Sequence, residues 1–298
     1  VTFTRASSAT YVGADGLIRT AATDEARFDH DPATGESLGL LIEEARTNLI
    51  EYSDMGSGFL SPGINNSFAA NEINPEGTAG CRKLQAITGA SAVHHLNSSA
   101  STNNNLTVSV FVKFNTWRYA RVGFGGTSHS VMAVFDIDPS VTGDRLLLQG
   151  GNGTRSNIDA GYEDYPNGWI RIWVSGTTAG SGGPLVGLHP NATTTVILNW
   201  TPDGTESMFV YGMQYEDDET FPTSYIPTSG STVTRAADVC TVTNSNIYNI
   251  DSFTIINQPF GASAGSSTLT LFDGPEPIKR VAVFSTDLSQ ATINTAVG

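Results

Sequence analysis

Two cysteines in 298 residues, Cys81 and Cys240, are too few and too far apart for a disulfide framework or a zinc site, so both are expected as ordinary buried thiols. Charge is scarce too. Charged residues make up 15% of the chain, and 29 acidic side chains outnumber 15 basic ones to leave a net charge of −14. No cluster of Lys and Arg offsets that balance, so a phosphate backbone would be repelled and nucleic acid is not an expected partner. No apolar run approaches the roughly 20 residues of a membrane-spanning helix, so membrane insertion is not expected. The first residues carry neither the charged head nor the apolar core of a secretory leader. Helical periodicity is missing as well: no helical pattern of about 10 to 15 residues lies between the apolar runs, which argues against a parallel α/β architecture.

What the chain has instead is Gly (31 residues), Thr, Ser and Asn around short apolar runs. That composition suits strands joined by polar turns. In "LTVSVFVKF", Leu106, Val108, Val110, Val112 and Phe114 share one face while Thr107, Ser109 and Lys113 share the other, which predicts a half-buried strand. Strands are likewise expected in "RYARVGF" (118–124), "VMAVFDI" (131–137), "WIRIWVS" (169–175), "TVILNW" (195–200) and "SMFVYGMQY" (207–215). The expected fold is therefore all-β, an antiparallel β-sandwich of jelly-roll type.

Three parts are expected: an extended, turn-rich docking or joint segment over 1–53, the sandwich over 54–238, and an abbreviated β-rich segment over 239–298 with a strand at "IKRVAVFS" and a short terminal helix. The last part, about 60 residues, is too short for a core of its own and is expected to pack against a neighbour or the N-terminal segment. "TFTRA" at 2–6 recurs as "TVTRA" at 232–236, which predicts paired strands or equivalent edges bracketing the sandwich.

Few residues carry chemistry. In "GLLIEEARTNLIEYS" (39–53) Glu43, Glu44, Arg46 and Asn48 follow an apolar run, and they are expected to form a structural joint with the acidic pair opening a helical turn. Adjacent glutamates cannot face each other as glycoside hydrolysis requires, though carboxylates such as Asp136, Asp138, Asp159 and Glu163 could assemble from distant segments. The run "YEDDET" (215–220) lacks calcium-loop spacing and is expected as a solvated loop. The five histidines show no metal spacing, and His94 and His95 would project to opposite sides of a strand. No metal and no cofactor is expected, and calcium is unsupported.

Aromatics are more telling, because sugar binding by a sandwich uses exposed rings beside hydrogen-bonding side chains. Trp117, Tyr119 and Arg121 fall near a turn with Arg118, where they could meet an acidic sugar or a neighbouring subunit's carboxylates. Trp169, Arg171 and Trp173 share one face of their strand, either as a glycan platform or as a contact with another layer.

The segment from "FTRASSATYVGADG" through "GLLIEEARTNLI", and then "GMQYEDDETFPTSYIPTSGSTVTRAADV", resembles a family of bacteriophage virion proteins described as head-spike-fibre or tail-fibre proteins. In that family the "GLLIEEARTNL" element joins a leading segment to a sandwich similar to carbohydrate-binding modules. The tail "IKRVAVFSTDLSQATINTAV" is similar to the closing strand and helix of a lectin-like jelly roll whose preceding strands are missing or abbreviated here. The resemblance implies a non-enzymatic protein of the virion surface, on head or tail. It would be a homo-oligomer, a trimer as such fibres usually are, contacting other virion proteins and host-surface polysaccharide. The alternatives are a capsid decoration protein without glycan binding and, further off, a polysaccharide-depolymerising tailspike.

Overall fold

The computed structural model describes residues 2–90, 94–97, 105–125, 130–178, 182–190, 200–217, 220–243 and 268–270. The expected strand at 195–200 falls outside these residues except for Trp200, and the expected C-terminal strand and helix fall outside them entirely. The described chain is all-β and antiparallel, and it divides into two units, Val1–Arg46 with Arg235–Gly298, and Thr47–Thr234.

The first unit contains β1 (Thr2–Thr4), β2 (Ala9–Val12), β3 (Ile18–Ala21), β4 (Phe28–His30) and β5 (Ser37–Leu40). The chain leaves it along β6 (Arg46–Asn48). Within the second unit run β7 (Phe59–Leu60), β8 (Ile64–Ile73), β9 (Ala79–Ala86), β10 (His94–Asn97), β11 (Asn105–Phe114) and β12 (Tyr119–Gly125). They are followed by β13 (Ser130–Asp136), β14 (Leu146–Asn152), β15 (Arg155–Asp164), β16 (Trp169–Thr178), β17 (Pro184–Leu188) and β18 (Ser207–Asp217). β19 (Val233–Arg235) leads back to β20 (Val239–Thr243) and β21 (Thr268–Thr270).

In the first unit β1, β20 and β21 form one sheet, with Thr2 opposite Thr241, and β2–β3 and β4–β5 form hairpins. The two ends expected as separate segments thus share a sheet. β6 pairs with β19 where the chain passes between units.

The second unit holds two six-stranded sheets, ordered β14-β13-β12-β17-β10-β7 and β15-β16-β11-β18-β9-β8. Their facing side chains make one core: Val108, Val110, Ile172, Val174 and Val210 from one sheet meet Val122, Phe124, Ala133, Phe135 and Val186 from the other. The period-2 alternation of these segments dictates this, since each burial of a Val- or Ile-sized side chain stabilises by roughly 1.5–3 kcal/mol only if the register holds.

β11 departs from its expected half burial. Its outward Thr107, Ser109 and Phe111 are as buried as its inward face. The chain after β18 folds back over that surface: Ser175 Oγ donates to the Thr220 carbonyl at 2.7 Å, and Tyr225 meets the Phe111 ring edge-on at 6.0 Å. The same return corrects the solvated-loop expectation for 215–217, which are strand, while 218–219 lie outside the described residues. Glu216 is fully buried in β18, bonded by the Thr223 amide at 3.1 Å and hydroxyl at 2.5 Å, and burial pushes its carboxyl above the usual range.

Candidate functional site

Glu43 and Glu44 open no helical turn. The stretch 41–45 contains no helix or turn and runs into β6, and the two side chains part there. Glu43 turns inward to Arg27 at 2.8 Å and Arg235 at 2.9 Å, while the more exposed Glu44 pairs with Arg46. Asp238 completes the cluster with Arg5 at 3.0 Å and with Arg27. Arg5 and Arg235 are the arginines of the two T-x-T-R-A copies. Their strands do not pair with each other, since β1 pairs β20 and β19 pairs β6, but both arginines end in one buried ion cluster of the first unit. The Ala236 amide also donates to Ser7 Oγ at 2.9 Å.

Asn48 belongs to the second unit. Its Nδ2 donates to the Met213 and Ile226 carbonyls at 3.2 and 2.9 Å, and its Oδ1 accepts the amides of Ile50 and Tyr215, both at 3.1 Å. All four residues of the expected joint are therefore engaged in contacts within the chain.

The surface expected on β16 is not open. Trp169 is 0% exposed, with its indole N–H donating to the Ile73 carbonyl at 2.7 Å. Arg171 is buried and donates to Ser109 Oγ at 3.0 Å and the Thr223 carbonyl at 2.8 Å, and its guanidinium lies 5.5 Å from the Phe111 ring centre. Trp173 is half-buried against Gly161, where a Cβ would come within 2.7 Å of the indole. Between platform and contact layer, this face is a contact layer: the 220–226 return lies over Arg171, Trp169 is tied to Ile73, and Trp173 lies against Gly161.

The residues before and within β12 differ. Trp117, half-buried, stacks on Trp200 with ring centres 5.2 Å apart, and Tyr119 meets Trp117 edge-on at 6.3 Å. The Trp117 indole N–H donates to the His189 carbonyl at 2.7 Å, which fixes the ring. Arg118, with 45% of its side chain exposed, lies 5.3 Å from the Tyr119 ring centre and grips Asp136. Trp117 and Trp200 are partly buried against the core, and the part of such rings left to solvent, beside a fixed guanidinium, can stack a sugar face and bond its hydroxyls. The sequence reading missed Trp200 and the Asp136 clamp; the one signal was a Trp directly before the "TPDG" turn.

Arg121 points away from the core and is 2% exposed, so it is no surface contact. Three of the four carboxylates weighed for catalysis have local partners: Asp136 holds Arg118, Asp138 accepts the Ser140 amide and hydroxyl at 2.9 and 2.7 Å, and Asp159 accepts the Ala160 amide at 2.9 Å. Both cysteines are free and buried, and burial pushes the Cys81 thiol up to about 12. Among the described residues no group of three or more His, Cys, Asp or Glu side chains converges as a metal site. No protein-family model matches this chain, and no curated protein matches it significantly.

Proposed function

We propose that this chain is a non-enzymatic structural protein of a phage virion, a fibre, spike or tail appendage that adheres to host-surface glycan. In this reading the second unit is a β-sandwich of jelly-roll type similar to carbohydrate-binding modules, and the chain assembles as a homo-oligomer, a trimer by the resemblance. The observation that supports glycan adhesion is the Trp117–Trp200 stack with Tyr119 and Arg118 beside it, since these are partly buried rings held by backbone and ionic contacts before any ligand arrives.

The test is immunogold electron microscopy of intact particles with an antibody raised against residues 47–234, followed by cell-binding assays of the purified chain. Label on fibre tips or the tail, with cell binding lowered tenfold or more by Trp117→Ala, is the expected result. Label spread over the head without cell binding would favour the decoration role. Absence of label would overturn the virion reading.

A further inference from the structure

The charges around the Trp117–Trp200 stack bear on which sugars it can hold. Arg118 is the cation beside the rings, with its guanidinium 5.3 Å from the Tyr119 ring centre. Its Nε donates to both carboxylate oxygens of Asp136, at 3.2 and 3.0 Å, and its Nη2 donates to Oδ2 as well. A guanidinium gripped at two points by one carboxylate is matched in charge where it stands. Arg145 is matched in the same way: its Nε donates to Asp164 at 2.9 Å, and its Nη1 to the Asp136 and Asp138 carbonyls at 3.3 and 3.1 Å.

Further carboxylates stand on both sides of the stack. Behind the clamp, the Asp138 amide donates to Asp136 Oδ1 at 3.1 Å, and the Ser140 hydroxyl and amide hold the Asp138 carboxyl below the usual range. On the other side lies the turn that follows Trp200. It is tied to the Trp117 segment, since Thr116 Oγ1 donates to the Thr205 carbonyl at 2.6 Å and the Trp117 amide to the Ser207 carbonyl at 3.2 Å. This turn carries Asp203, exposed and held below the usual range by the Thr205 hydroxyl and amide at 2.6 and 2.8 Å. It also carries the buried Glu206, which accepts the Asp203 and Gly204 amides at 3.1 and 3.0 Å. Asp138 and Asp203 spend these bonds on neutral partners, so both remain anions at neutral pH and the surroundings of the rings are negative.

We propose that the Trp117–Trp200 cluster takes an uncharged sugar and discriminates against uronic and other acidic sugars, with Arg118 acting as a hydrogen-bond donor already neutralised by Asp136. This inference rests on the adhesion reading above and narrows it. A sugar hydroxyl can donate to a carboxylate such as Asp138 or Asp203, whereas a sugar carboxylate only accepts and would meet two like charges. Each exposed like charge weakens an incoming anion by about two- to threefold in water, so a uronate is expected to bind roughly fivefold more weakly than its neutral parent.

The experiment measures cell binding by the purified full chain from about 50 to about 500 mM sodium chloride, a range over which exposed charges go from weakly to strongly screened. Glucose against glucuronate and galactose against galacturonate serve as paired competitors. Binding is expected to hold within about twofold or to rise with salt, and the neutral member of a competing pair is expected to act at lower concentration. Asp138→Asn combined with Asp203→Asn should narrow the gap within that pair several-fold. Binding that is lost in Trp117→Ala but falls tenfold or more with salt, or a uronate that competes as well as its neutral parent, would overturn the inference and leave adhesion standing. Binding undiminished in Trp117→Ala would remove the adhesion reading, and this inference with it.

Discussion

Asn48 uses both donors and both lone-pair directions of its amide on four backbone groups, none of which has water to fall back on. Asn48→Ala is expected to cost about 2–4 kcal/mol, because it strands buried carbonyls and amides, and urea unfolding measures it. Asp238→Asn should cost about 3–5 kcal/mol by leaving Arg5 and Arg27 short of counter-charge, whereas Glu44→Gln should stay within about 0.5 kcal/mol. That Glu43 and Glu44 diverge was legible in their adjacency. That Glu43 is the buried one was not, because its partner Arg235 lies 192 positions away and nothing local marks it. The T-x-T-R-A echo was a real signal read at the wrong level: it repeats an arginine's destination, not a strand pairing.

Elements show the same division. Alternation in "WIRIWVS" placed Ile170, Ile172 and Val174 in the core, but alternation describes two faces and is silent on what lies over the second. The return at 220–226 has no periodic pattern, so whether Trp169 and Arg171 met a glycan or another layer stayed open in the sequence. Trp169→Ala is accordingly expected to lower stability by about 3–5 kcal/mol, with a lower Tm as its main readout, whereas Trp117→Ala should cost less stability, since its ring is only partly buried on the core, and under the proposed adhesion would also lower cell binding. Strands β8, β14 and β15 went unread because Asn, Gly and charged residues interrupt their patterns.

In β10 both His94 and His95 are pushed down to about 4 by burial, from about 6.5 in the unfolded chain. The unfolded chain therefore binds more protons between these values, and stability contributed above pH 6.5 is lost as pH falls toward 4. Glu216, raised by burial, works in the opposite direction around the carboxylate range. Melting curves from pH 7.5 to 4.5 should show a falling Tm, a trend flattened by replacing His95 with Gln.

On the scale of the whole molecule, both six-stranded sheets and every residue of their shared core lie between Thr47 and Thr234. A fragment of residues 47–234 is expected to fold alone, with far-ultraviolet circular dichroism of a β protein and one cooperative melt. The composition and strand alternation were enough to give the all-β class. The grouping of the two chain ends in one unit was not legible, since it depends on β1 meeting β20 across more than 230 positions. The chain passes into and out of the second unit on β6 and β19, which lie side by side, with Thr47 and Thr234 hydroxyls 2.7 Å apart. A segment whose two junctions touch can be exchanged as a cassette. Any foreign domain with neighbouring termini could be spliced between Arg46 and Arg235, and the same geometry gives recombination a ready way to replace the whole second unit while the arginine-clamped ends stay the same.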